Sequence, residues 1–354
     1  MYLDLSKNFH LIRKVYFLTF IFLIFTFSVK GQSNFQFYGS QNKKQTVKFK
    51  LISNLVIIPL KINGKKLNFI LDTGVNKTIL FNLSQNDSIG LNNVNTVTLQ
   101  GLGGGKPIEA LLSKKNSFRI GNLMSSNEDL YVVLKDKFDL SGKMGLTIHG
   151  IIGYRLFKNV IVNINYNSKK IHFYNPKYFK KKQCKKCETF PLQFYRNKPY
   201  IDVKARIDTI KNTEIAVKLL IDSGGSDALW LFENDSLGIK SSEKYFNDFL
   251  GHGLNGSVYG KRSKVKELSL NSFVLKKANV AFPNNENIFH AKQIKNRNGS
   301  IAGNVLKRFN IIFNYQKALM IISKNSKFKN KFRYNKSGIE LAHDGIRVMR
   351  EITN

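Results

Sequence analysis

Two aspartates, Asp72 and Asp222, stand 150 residues apart at the ends of matching apolar runs, Phe69-Ile70-Leu71-Asp72-Thr73-Gly74 and Leu219-Leu220-Ile221-Asp222-Ser223-Gly224. In each, a stretch of the kind that makes a buried strand stops at a carboxylate, a small hydroxyl residue and a glycine. One buried carboxylate is costly. Two brought together share a proton, which lowers that cost and leaves one group acidic and the other basic. This is the chemistry by which paired aspartates hydrolyse peptide bonds, with water as the nucleophile. Apolar strands also end at Asp-X-Gly turns for purely local reasons, so the pair has to be weighed with its surroundings.

Those surroundings repeat. Ile151-Ile152-Gly153 and Ile301-Ala302-Gly303 each end 81 residues after their aspartate, and Gly101-Leu102-Gly103-Gly104-Gly105 and Gly251-His252-Gly253 each begin 29 residues after it. Behind the late glycines come Tyr154-Arg155-Leu156-Phe157 and Asn304-Val305-Leu306, then the alternating runs from Val160 to Tyr166 and from Ile311 to Tyr315. An internal repeat of this length marks a duplicated unit. Before Asp72, the apolar run Leu55 to Ile62 meets the turn pair Asn63-Gly64, a strong hairpin signal. Many short strands with turn residues between them, and little helical periodicity, place the chain in the all-β class.

With Asp-Thr/Ser-Gly in both halves, the sequence resembles the aspartic proteases. The stretch from Leu71 to Leu80 resembles the retropepsin version, and Asp222-Ser223-Gly224-Gly225-Ser226-Asp227 is a looser match. The resemblance covers roughly residues 50 to 325. It implies two pseudo-symmetric pepsin/retropepsin-like barrel lobes in one chain, with Asp72 and Asp222 catalytic. It also implies hydroxyls of Thr73 and Ser223 bonded across the pseudo-two-fold axis, and backbone N–H groups of Gly74 and Gly224 open to the carboxylates. Gly153 and Gly303 would pack beneath the aspartate loops. Gly103, Gly104, Gly105 and Gly253 would bend in two flaps, and Tyr259 stands in the second, whereas the pepsin-like branch carries its flap tyrosine in the first. Lys77 and Asp227 sit where subsite residues often lie. The family needs no cofactor and no metal. Its partner is a peptide or protein substrate, and both halves in one chain imply a monomer. The same fold with a damaged site would be a weak or inactive peptide-binding protein, and the looser second motif leaves that reading open. In pepsin-like enzymes a hydroxyl residue after the triplet donates to the catalytic carboxylate. Val75 and Gly225 stand there in this chain, so a mildly acidic to near-neutral optimum is expected.

The elements that hold this pair fill the rest of the chain. Residues 1–32 read as a signal peptide, with Lys7, Arg13 and Lys14 ahead of the apolar run from Val15 to Val29; an uncleaved signal anchor is the alternative. Either way the rest is expected outside the cytoplasm, periplasmic or extracellular, with no stable membrane insertion unless the signal stays. The lobes are expected over residues 45–178 and 190–325. The chain of 354 residues carries a formal net charge of +34. Its lysines are scattered with no nucleic-acid motif among them, so no nucleic-acid partner is expected. Between the lobes lie Cys184 and Cys187, the only two cysteines. They are too few for a structural zinc site and read as a small disulfide or two free thiols. The six histidines, His10, His149, His172, His252, His290 and His343, show no ligand spacing. Residues 326–354 resemble the opening strands of the PDZ domain that follows some bacterial two-lobed aspartyl proteases. They are too short to bury a core of their own, and are either a truncated PDZ start or a segment packed on the lobes.

Overall fold

The computed structural model describes residues 34–39, 43–82, 89–134, 140–180, 183–207, 213–294, 296–334, 339–344 and 346–352; the expected leader, residues 1–32, lies outside them. The Asn63-Gly64 pair turns the chain through positive φ values of 46° and 88°, and the strands Leu55–Ile62 and Lys65–Leu71 pair across it from Ile62 opposite Lys65 to Ile57 opposite Ile70. Positive φ at both turn residues matches the twist of the strands, which is why Asn and Gly stand there. The second strand runs straight into Asp72. Its neighbour on the other side is Gly150–Ile152, parallel to it, and Thr78–Leu80 lies antiparallel beyond that.

The second half repeats this pattern. Ile215–Asp222 pairs antiparallel with Lys198–Arg206 and parallel with Gly299–Ala302, which in turn pairs antiparallel with Leu229–Leu231. The hairpin turns that open the two first strands also match, with Ser53 and Asn54 at φ 46° and 67°, and Arg196 and Asn197 at 48° and 64°. Among the described residues, the first lobe is a nine-stranded sheet and the second a ten-stranded one. The fold is all-β, in two lobes.

A third sheet of six strands joins the halves. Its order is Cys187–Pro191, Leu319–Lys324, Phe309–Asn314, Ile161–Asn165, Lys170–Tyr174, Lys44–Lys48, three strands from each half. The central seam pairs Val162 with Phe313 and Ile164 with Ile311. Inward-facing residues of this sheet, among them Val162, Ile164, Phe173, Ile311 and Phe313, join Val56, Ile58, Leu71 and Ile221 in one core that runs through both lobes. Phe157 stacks on Tyr315 with ring centroids 5.1 Å apart and meets Phe313 edge-on at 5.4 Å, tying the halves together. Such aromatic pairs contribute about 0.5–1.5 kcal/mol each beyond the area they bury.

Cys184 and Cys187 form a disulfide in the connection between the lobes. The second lobe continues beyond residue 325. Phe332 is buried in the core, Arg308 donates to the carbonyls of Lys327, Phe328 and Asn330, and Asn279 Nδ2 donates to the Arg333 carbonyl at 3.0 Å. Residues 326–334 are therefore a strap on the second lobe. Beyond them Ile339–Asp344 and Ile346–Ile352 form an antiparallel pair. Among the described residues no helix is long and apolar enough to cross a membrane.

Candidate active site

The two aspartate loops are held against each other by a reciprocal set of hydrogen bonds. Thr73 N–H donates to Ser223 Oγ at 3.0 Å, and Ser223 N–H donates to Thr73 Oγ1 at 3.1 Å. Each hydroxyl then donates across to the strand of the other lobe, Thr73 Oγ1 to the Ile221 carbonyl at 2.6 Å and Ser223 Oγ to the Leu71 carbonyl at 2.8 Å. Both hydroxyls are buried, so each spends its donor and an acceptor site where no water competes.

This grip brings the carboxylates to one place. A Cβ built on Gly74 would stand 3.0 Å from Asp72 Oδ1 and 3.1 Å from Asp222 Oδ1, and one built on Gly224 would run into the Asp72 carboxylate. Only glycine leaves room for both acids. Gly74 N–H also donates to Asp72 Oδ1 at 2.6 Å.

Gly153 and Gly303 both lie under these loops. A Cβ on Gly153 would strike the Asp72 and Val75 carbonyls, and one on Gly303 the Asn54 and Gly225 carbonyls. They are not counterparts, although each stands 81 residues after its aspartate. Ile152 pairs with Leu71 and Ile301 with Ile221, so Gly153 corresponds to Ala302. Gly303, whose N–H donates to the Gly225 carbonyl at 2.8 Å, corresponds to Tyr154, whose N–H donates to Val75 at 3.0 Å.

Electrostatics separate the two acids. Burial raises the pKa of Asp72, the Asp222 charge raises it further, and the Gly74 N–H, Lys198 and Gly224 N–H oppose, leaving it at about 7. Burial also raises Asp222, but Arg297, Lys198 and the N–H groups of Gly224 and Gly225 work against that rise. Lys198 and two backbone N–H groups oppose the rise at each acid, and Arg297 acts at Asp222 alone. The Arg297 charge favours the negative charge on Asp222 and the shared proton on Asp72, and the macroscopic titrations are properties of the pair. The Gly225 N–H, which meets the Asp222 main-chain carbonyl at 3.4 Å, is the last of these contributions.

The glycine-rich segments of the two lobes meet around Asn255. Gly101 N–H donates to Asn255 Oδ1, Asn255 Nδ2 donates to the Lys106 carbonyl at 2.8 Å, Asn255 N–H to the Leu102 carbonyl at 2.8 Å, and Gly105 N–H to the Asn255 carbonyl at 2.7 Å. Gly103, at φ +109°, has no room for a Cβ against the Asn255–Gly256 backbone, and a Cβ on Gly253 would strike the Leu102 carbonyl. Gly104 faces Asn287 Nδ2. Tyr259 lies on the strand Gly256–Lys264 with its ring 5.6 Å from Phe249 and about half exposed, at 53%. Asp227 is held by Arg262 Nη1 at 2.8 Å and Trp230 Nε1 at 2.6 Å, and Lys77 lies over the Tyr131 ring at 4.4 Å.

Sequence reasoning missed Lys198, Arg297 and Asn255. Asn255 and the two cations look like ordinary surface residues in a chain rich in Lys and Asn, and only the fold brings them to the site.

Paired aspartates, Asp72 buried and Asp222 partly buried, at the joint of two matching all-β lobes and gripped by Thr73 and Ser223, define the retropepsin-like class of aspartyl protease. Residues 58–156, from the first strand of the Asn63-Gly64 hairpin to the helix after Gly153, match the family model described as aspartyl protease, and this part of the chain is a domain of that kind. No curated protein matches the sequence.

Proposed function

We propose that this chain is an exported aspartic endopeptidase that acts as a monomer on a peptide or protein substrate, using the Asp72/Asp222 pair to activate water. The observation that carries the reading is the convergence of the buried Asp72 and the partly buried Asp222 carboxylates on Gly74, with Arg297 acting on Asp222 alone and so favouring the charge there. Asp222 takes a proton from the water as its oxygen bonds to the scissile carbonyl carbon, and Asp72 gives its proton to the carbonyl oxygen. The tetrahedral diol then collapses. Its hydroxyl proton returns to Asp72, the C–N bond breaks, and Asp222 passes its proton to the departing nitrogen. The Cys184–Cys187 disulfide supports export, because disulfides persist in oxidising compartments.

Asp72→Asn and Asp222→Asn should each remove hydrolysis of a quenched peptide library while the circular dichroism spectrum is retained, since each step needs a carboxyl group. Activity surviving in either purified variant would overturn the mechanism. Peptide binding by the unaltered chain without any cleavage would instead point to a binding protein on the same fold.

A further inference from the structure

The lobes share strands and register, but not the residues beside their aspartates. In the first lobe Leu55 and Ile57 join Ile70, Ile79, Phe81 and Ile148 in a buried apolar cluster. Ile57 lies opposite Ile70 and Tyr200 opposite Leu220, so Tyr200 is the counterpart of Ile57 and Lys198 that of Leu55. Two steps beyond the last registered pair, Tyr200 opposite Leu220, bring Lys198 level with Asp222 on the same face of the sheet. His149 N–H donates to the Asn68 carbonyl and Asn298 N–H to the Lys218 carbonyl, both at 2.9 Å, which makes Arg297 the counterpart of Ile148. Three apolar positions of one lobe are thus Lys, Tyr and Arg in the other.

These polar groups are short of partners. Arg297 is only 9% exposed; it lies over the Phe232 ring at 5.1 Å and donates from Nε to the Gly299 carbonyl at 3.2 Å. Among the described residues neither Arg297 nor Lys198 forms an ion pair within 4.0 Å, and the buried Tyr200 hydroxyl has no hydrogen-bond partner. Burying a cation without a carboxylate is costly. The dyad, holding one proton, supplies one negative charge against two cations and leaves one positive charge in excess. What the wall lacks is one carboxylate.

We propose that Lys198, Tyr200 and Arg297 form a subsite beside Asp222 for an acidic side chain of the substrate, an Asp or Glu flanking the scissile bond. This rests on the protease reading above and gives it a substrate class. Arg297 and Lys198, both held below their usual pKa first by burial, become fully paired when the carboxylate enters.

The test uses non-cleavable reduced-amide peptides with Glu, Gln or Leu flanking the scissile position, with binding read by fluorescence anisotropy on the unaltered chain, alongside hydrolysis of the matching amides. Glu peptides should bind at least about tenfold tighter than Gln peptides, the range of a charge-assisted hydrogen bond. Lys198→Met and Arg297→Met should each reduce that preference by about tenfold. If Arg297→Met does not fold, Lys198→Met, at a partly exposed strand end, carries the test. Equal binding of the three peptides overturns the subsite, as does an equal loss for all of them in Lys198→Met, which would mean that the cations act only on the dyad. Hydrolysis without Glu preference sinks the subsite alone. Glu-selective binding with no hydrolysis sinks the protease reading and leaves the subsite standing.

Discussion

Leu102 and Leu254 exchange lobes: Leu102, from the first lobe, packs against Phe232 and Ile288 of the second, and Leu254, from the second, packs on the first-lobe cluster of Leu55, Ile57 and Ile148. Each glycine-rich segment is seated by an apolar side chain in the opposite lobe, and the Asn255 hydrogen bonds fasten the crossing between them. Asn255→Ala removes the acceptor for Gly101 N–H and the donor to Lys106. Amide exchange at Gly101 should accelerate roughly tenfold or more, as expected for loss of a buried bond worth about 1–3 kcal/mol. Unchanged exchange there would mean that the leucines alone hold the two segments.

Thr73→Val and Ser223→Ala each strand two buried groups that have no water to turn to. Each should cost about 1–3 kcal/mol per stranded group in urea unfolding. The two hydroxyls belong to one network, so the double variant should lose less than the sum of the singles. Strict additivity would show that the two loops are held independently.

The dyad should make the protein less stable as pH rises. Folded, Asp72 keeps its proton to about 7, whereas the unfolded chain releases it near the ordinary 3.8. The folded state then binds more protons than the unfolded state across that window, and stability falls between those pH values. Asp72→Asn removes the liability. Its Tm should exceed that of the unaltered chain by at least about 2–4 °C at pH 7, the change that about 1 kcal/mol produces in a large domain, and by less at pH 4. On the proposed mechanism the active form carries one proton on the pair, so kcat/KM should fall on the alkaline side as that proton leaves, near about 7. A bell centred near pH 2 to 3 would show that burial does not control the titration.

Phe332 anchors the strap, packed in the core with the Arg308 guanidinium 3.6 Å from its ring centroid. Phe332→Ala should cost about 3–5 kcal/mol and lower the melting temperature of the whole chain, not of a detachable tail. A transition that separates the strap from the second lobe would contradict this.

Much of this was legible in the sequence because it is local. The strand, carboxylate, hydroxyl and glycine order around Asp72 and Asp222 declares a buried strand ending in a turn, and Asn63-Gly64 declares its hairpin. Register is not local. Equal spacing along the chain suggested that Gly153 and Gly303 correspond, yet the sheet aligns Gly153 with Ala302, because pairing is set by which face each side chain must bury. The identity of Lys198 as a site residue is hidden for a related reason. Its chemistry is set by Asp222 on the adjacent strand, and in a chain with 57 Lys and Arg nothing in its own neighbourhood separates it from a solvated lysine. Asn255 is invisible until two glycine-rich segments from different lobes cross.

The six-stranded sheet has one more consequence. Its seam at Val162 and Phe313 joins Ile161–Asn165 of the first half to Phe309–Asn314 of the second, so either half alone would present a bare, apolar strand edge, a template for another chain. Two fragments divided within the Cys184–Cys187 loop should find each other by that edge and recover one molecule in trans. Either fragment made singly should aggregate or pair with a copy of itself. The two halves are arranged as a dimer written as one polypeptide, joined strand to strand at that seam.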